Sequence, residues 1–120
     1  MSYDVSFALK EKHSDKLVIL PIDVSNITWN VRELIKQSSG WEIKNESENG
    51  FVKDLIPMLH SGLANLMRNP DKYKQYEATN GWGTIEGVKR FYNDIIKAYD
   101  SIGEYDYLYN FKEYLYIYVD

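Results

Sequence analysis

No cysteine occurs among the 120 residues of the chain. Disulfides, thiolate nucleophiles and cysteine-bound metals are therefore excluded, and the composition suits a reducing compartment. Histidine is nearly absent too, with only His13 and His60. The longest uninterrupted aliphatic run is Leu17 to Leu20, far short of the ~20 residues that a membrane-spanning helix needs. The first ten residues lack a basic start followed by an apolar stretch, so no export signal is expected. The three prolines and seven glycines form no linker, and no internal repeat or low-complexity segment is visible.

Hydrophobic residues make up 44% of the chain and charged residues 27%. This suits one globular domain over residues 1–120, too apolar to stay disordered. Net charge is −4, which disfavours binding to phosphate backbones. That charge is unevenly placed. Residues 1–98 hold 13 acids and 13 bases, whereas residues 99–120 hold Asp100, Glu104, Asp106, Glu113 and Asp120 against Lys112 alone. The same tail holds seven of the 11 tyrosines, from Tyr99 to Tyr118.

Tyr3, Val5, Phe7 and Leu9 alternate with polar or small residues, which predicts a strand with one buried face. Leu17 to Leu20 reads as a more deeply buried strand, joined to the first by the polar loop Glu11 to Asp15. Asn30 is placed to cap a helix from Val31 to about Ser38, with Glu33 completing a capping box and Gly40 ending it. Asn45 to Gly50 reads as a polar loop. Leu55, Leu59, Leu63 and Leu66 follow helical spacing, and an Asp54 cap would put Pro57 in the first turn. Asn69-Pro70-Asp71 predicts a short helix to about Glu77. Thr84 caps the most regular helix, to about Ile102 and stopped by Gly103, with Ile85, Val88, Phe91, Tyr92, Ile95, Ile96, Tyr99 and Ile102 on one side. Glu86 and Arg90 stand at i, i+4 on its polar side.

The tail alternates again. Leu115, Ile117 and Val119 share one face of a strand; Tyr114, Tyr116 and Tyr118 share the other. Tyr105, Tyr107 and Tyr109 repeat the spacing. If Tyr109 pairs with Tyr114 across Asn110 to Glu113, all six tyrosines lie on one face of a hairpin. A helical continuation through Tyr105, Leu108 and Tyr109 is the rival for the first half. The expected fold is α+β: a three- or four-stranded antiparallel sheet built from both termini, with helices on one face.

No pattern of catalytic residues emerges. Neither histidine has a helical neighbour to share a metal, and His60 reads as a partly buried helix residue. No nucleophile–base pair and no glycine-rich phosphate loop occurs, so neither an enzyme nor a cofactor or metal is expected. The most distinctive local run is Asn80-Gly81-Trp82-Gly83-Thr84-Ile85-Glu86-Gly87. Trp82 either plugs the core while the glycines permit tight entry, which is the favoured reading, or presents its indole beside Asn80 to a ligand at a helix start. Trp29 and Asn30 carry the same two readings.

Four segments carry a resemblance: the opening M-S-Y-D, Asn26-Ile27-Thr28-Trp29-Asn30, Asn69-Pro70-Asp71-Lys72-Tyr73 and the N-G-W-G-T-I-E-G run. They resemble a family of small uncharacterised proteins of bacteriophages, prophages and bacteria, over most of residues 1–102. The tail is longer and richer in tyrosine than in that family. The resemblance carries over no catalytic residue. It implies a phage or mobile-element setting in the bacterial cytoplasm, where small acidic proteins often bind host machinery, defence systems included.

The expected function is a non-catalytic, counter-defence or anti-CRISPR-like inhibitor. Its partner-binding residues would be Tyr105, Asp106, Tyr107, Tyr109, Tyr114, Tyr116 and Tyr118, since tyrosine gives large contact area at low entropy cost. The acidic tail would steer it to a basic host protein such as one that normally holds nucleic acid, without binding nucleic acid or membrane itself. The tyrosines could instead line the packing face of the sheet or a homodimer seam. Two other classes stay open: a binder or sponge for a small nucleotide-like ligand, held by Trp29, Asn30, Asn80 and Trp82, and an immunity or structural accessory protein.

Overall fold

Period-two burial shapes the first strand. In β1 (Ser2–Lys10), Tyr3, Val5 and Phe7 are buried and Asp4 is exposed. The computed structural model describes residues 2–103 and 111–120. In chain order, β1 is followed by β2 (Leu17–Ile19), β3 (Ser25–Thr28), α1 (Arg32–Ser39), β4 (Ser47–Phe51), α2 (Val52–Arg68), α3 (Pro70–Tyr73), α4 (Ile85–Gly103) and β5 (Tyr116–Val119). Short 3-10 turns occupy Trp29–Val31, Lys74–Tyr76 and Phe111–Tyr114.

The architecture is α+β, as the patterning predicts, with five strands where three or four were expected. The antiparallel sheet runs β2-β1-β5-β4, and β3 pairs with the first half of β1. The terminal strands are neighbours: Val5 faces Val119 and Phe7 faces Ile117. These four residues point to the helices and join one core with Leu34, Ile35, Leu59, Val88, Phe91, Tyr92 and Ile95. Trp41 lies within it, parallel to Phe91 at 6.0 Å between centroids.

The best-patterned helix forms as its periodicity predicts. Ile85, Val88, Phe91, Tyr92, Ile95 and Ile96 of α4 are all buried. Its first turn is held from two sides, with Gly87 N–H donating to Thr84 Oγ1 at 3.0 Å and Ile85 N–H to Glu77 Oε2 at 2.8 Å. Gly103 is the last residue of the helix. Arg90 pairs not with Glu86 but with Asp94, at 3.1 Å. The reason is tertiary: Arg90 also donates to the Asn26 carbonyl, and Ser25 Oγ donates to Asp94, so the pair clips α4 to β3. Glu86 takes Lys89 instead.

Other local expectations give way to long-range pairing. The Asn45 to Gly50 stretch is mostly not a loop, because Ser47–Phe51 pairs with β5 and feeds directly into α2. Helix α2 therefore starts at Val52, two residues before the expected Asp54 cap, and Val52 N–H donates to the Leu115 carbonyl at 2.9 Å. Pro57 falls in the helix interior, on the exposed side, where one backbone bond is forgone. Asn30 does not cap α1, since it sits inside the preceding 3-10 turn. Gly40 does end α1, in the left-handed region at φ 80°. The Leu17 to Leu20 run is not deeply buried. Among the described residues β2 pairs only with β1, and Val18 and Ile19 are 50% and 46% exposed.

Candidate functional site

β5 sorts its side chains by alternation. Ile117 and Val119, like Leu115 just before the strand, are fully buried toward the helices. Tyr116 and Tyr118 point to the opposite face and are half-buried. Both edges of β5 are occupied, by β1 and by β4. The neighbours of Tyr116 are thus Ala8 and Phe51, and those of Tyr118 are Ser6 and Glu48. This corrects the expected hairpin, in which Tyr107 and Tyr105 were to fill those positions. Tyr114 is likewise not on the strand: it closes a 3-10 turn and is 64% exposed. Tyr105, Asp106, Tyr107 and Tyr109 lie outside the described residues.

Register builds a continuous row on this outer face. Ile19 of β2 faces Ala8 of β1, Ala8 faces Tyr116 of β5, and Tyr116 faces Phe51 of β4. The row crosses four strands; Ile19, Tyr116 and Phe51 lie outside the core, while Ala8 is fully buried between Ile19 and Tyr116. The Phe51 and Tyr116 rings stack at 4.5 Å between centroids. Lys10 Nζ stands 4.2 Å from the Tyr116 centroid and 3.3 Å from Glu48 Oε2. Desolvation works against the Lys10 charge, but Glu48 and Tyr116 outweigh it and hold the ammonium above its ordinary pKa. Ala8 itself is fully covered. Beyond Tyr118 the face turns acidic, where Asp4 and Asp120 exchange backbone hydrogen bonds. The tail's acids are partly compensated: Lys53 meets Glu113 at 3.2 Å.

Ile19, Lys10 and Phe51 were missed as site residues. Lys10 and Ile19 had a signal, since both lie on segments already read as strands. Phe51 had none, because its strand exists only through β5.

The two tryptophan motifs adjoin at their backbones. A Cβ built on Gly83 would stand 3.5 Å from Asn30 Cβ. Trp29 lines a cleft that Trp82 does not. Trp82 is 75% exposed and does not plug the core, which overturns the favoured reading. Its own N–H is bound to Asn80 Oδ1 at 3.0 Å, and the loop closes behind it through Ala78 N–H to the Gly83 carbonyl at 2.9 Å. The core filler nearby is the second glycine, packed on Val31. Asn30 and Asn80 are exposed. Trp29 is half-buried, donates Nε1–H to the Ser2 carbonyl at 2.9 Å, and lines a separate cleft with Tyr3 and Arg32.

His60 is exposed rather than partly buried, as is His13. Among the described residues, no group of three or more His, Cys, Asp or Glu is placed to hold a metal ion. No described helix is long and apolar enough to cross a membrane. No family model, curated protein or solved structure matches the chain.

Proposed function

We propose that this chain is a non-catalytic binding protein that docks on a partner protein through the outer face of its sheet. Ile19, Tyr116 and Phe51, set in one row across covered Ala8, carry this reading. The row is apolar and aromatic, bordered by the Lys10–Glu48 pair and by tyrosine hydroxyls, which is the composition of a protein-binding patch. Tyr114 at the end of the 3-10 turn and the tyrosines of residues 104–110 extend the same chemistry along the chain. In the phage or prophage setting that the sequence resemblance implies, the partner is a bacterial host protein in the cytoplasm. Binding inhibits it, as a counter-defence protein would. The excess of acids in the tail favours a partner with a basic surface, such as one that normally holds nucleic acid.

The test is capture from a bacterial host lysate with wild-type chain and with a double variant, Ile19→Lys plus Tyr118→Lys. Both positions face outward, so the variant retains the fold and loses the captured protein. Equal recovery by wild type and variant, at equal melting temperature, overturns the reading.

A further inference from the structure

A second site, independent of the sheet face, lies where the start of β1 meets the 3-10 turn and the loop before β4. Tyr3, Trp29, Arg32, Ile43, Lys44 and Asn45 line a cleft of about 320 Å³ there. Tyr3 and Ile43 are buried and form its floor. The Trp29 ring stands 6.0 Å from Tyr3 at 35°. Its indole N–H is already spent on the Ser2 carbonyl, which leaves the ring face as what Trp29 offers.

Two cations flank these rings without compensation. Among the described residues, neither the Arg32 nor the Lys44 side chain makes an ion pair or hydrogen bond, whereas Lys36, one turn along α1 from Arg32, is paired with Glu42. No carboxylate lines the cleft. Burial pushes the Tyr3 hydroxyl above its ordinary pKa, and the nearby Arg32 charge opposes that rise.

An independent observation concerns Asn45. Its Oδ1 is buried and has no hydrogen-bond partner among the described residues. An unmet buried acceptor is costly and rare in a folded chain. A rotation of the Asn45 side chain toward the cleft it lines would present this acceptor to a ligand donor and remove that cost.

We propose that this cleft binds a small planar anion: a single ring bearing an N–H or O–H donor on one side and a phosphate or carboxylate on the other. The ring lies against Trp29 and Tyr3, the donor meets Asn45, and the anionic group sits between Arg32 and Lys44. The volume lies at the small end of ligand sites, so one ring and one anionic group fill it. Arginine provides a two-pronged donor for either oxyanion. Pyrimidine nucleoside monophosphates and monocyclic aromatic acids share this chemistry.

Calorimetry and amide NMR titration of the full chain decide it, with uridine monophosphate, uridine, inorganic phosphate and para-aminobenzoate as probes. Uridine monophosphate binding more tightly than uridine and phosphate assigns the nucleotide source; para-aminobenzoate binding best assigns the aromatic acid. In either case the shifted amides cluster at Trp29, Arg32 and Asn45. Arg32→Ala and Lys44→Ala, both exposed positions, weaken binding by about tenfold each, the usual scale for a lost charge-assisted contact. Asn45→Asp, which adds a like charge at a buried atom, lowers the melting temperature as well as binding, so the Arg32 and Lys44 variants carry the test. No saturable shift with any probe at millimolar concentration overturns the proposal. So does binding that the Arg32 and Lys44 variants leave unchanged.

Discussion

Gly83 is packed so closely on Val31 that a Cβ added to it would stand 2.6 Å from Val31 Cγ1. Val31 is fully buried, and Ala78 crowds the same spot at 3.3 Å. Neither neighbour is a flexible chain end that can swing away. In the N-G-W-G run the second glycine therefore does the packing, and the tryptophan before it is pushed outside. Gly83→Ala is expected to cost about 1–3 kcal/mol, the usual scale of overpacking. Trp82→Ala is expected to stay within about 0.5 kcal/mol of wild type, as exposed positions do. Urea denaturation of both variants checks the contrast. A larger loss for Trp82 than for Gly83 would reverse the assignment.

Ile95 occupies the middle of the buried stripe of α4, between Phe91 and Ile96, and is fully covered. Truncating it removes three carbons and leaves a cavity that the packed sheet and helices fill only in part. Ile95→Ala is expected to destabilise by ~2–5 kcal/mol in denaturant titration. A loss below ~0.5 kcal/mol would be that of a surface position and would show that this stripe is not core.

How far the fold could be read from the chain depended on whether the signal was local. In β1 and α4 one face is buried along the whole element, so period two and period 3.6 appear directly in the residue pattern. The same holds for Leu115, Ile117 and Val119. Ser47–Phe51 offered nothing of the kind: S-E-N-G-F has weak strand propensity, all five residues are half-buried, and only pairing with β5 makes it a strand. The apolar run at β2 was legible as a strand but not as an edge, because edge position depends on what pairs beyond it. The tyrosine alternation correctly separated the faces of β5. It could not say that β1 and β4 would take both of its edges. Trp82 fails for a similar reason, since flanking glycines allow an indole to turn either way.

Tyr92 predicts a specific alkaline sensitivity. Its hydroxyl is buried among α1 atoms, 2.7 Å from Ser38 Oγ, and donates to the Ile35 carbonyl at 3.2 Å. Burial pushes its pKa up from 10.0 to about 12, against the partly opposing effect of its hydroxyl neighbours Ser38 and Ser39. The unfolded chain releases this proton near pH 10 and the folded chain only near pH 12. Between these values the folded state binds more protons than the unfolded state, so stability falls as pH rises. The contribution is complete below pH 10 and lost through pH 12, and amounts to about 2–3 kcal/mol. Tyr92→Phe is expected to flatten this part of the profile while costing about 1 kcal/mol at neutral pH. Stability curves of both proteins from pH 8 to pH 12 decide the point; parallel curves would show that Tyr92 ionises as readily folded as unfolded.

The outer face of the sheet yields the prediction most closely tied to function. Tyr116 is held between Phe51 and Lys10, so its removal affects stability and binding together. An aromatic stack of this kind is worth about 0.5–1.5 kcal/mol beyond the area it buries, and Tyr116→Ala is expected to lose at least that much. Tyr114 has no such support at 64% exposure. Tyr114→Ala is expected to leave the denaturation midpoint unchanged and to weaken a captured partner. If the acidic tail steers encounter with a basic partner, raising salt slows association far more than it speeds dissociation. Replacing Asp120 with Asn reproduces part of that slowing at low salt. Stopped-flow or biosensor rates with the captured protein separate the two constants. A homodimer seam behaves differently: sedimentation shows a dimer for wild type, a monomer for Tyr114→Ala, and no captured protein for either. That combination would replace the inhibitor reading with self-association.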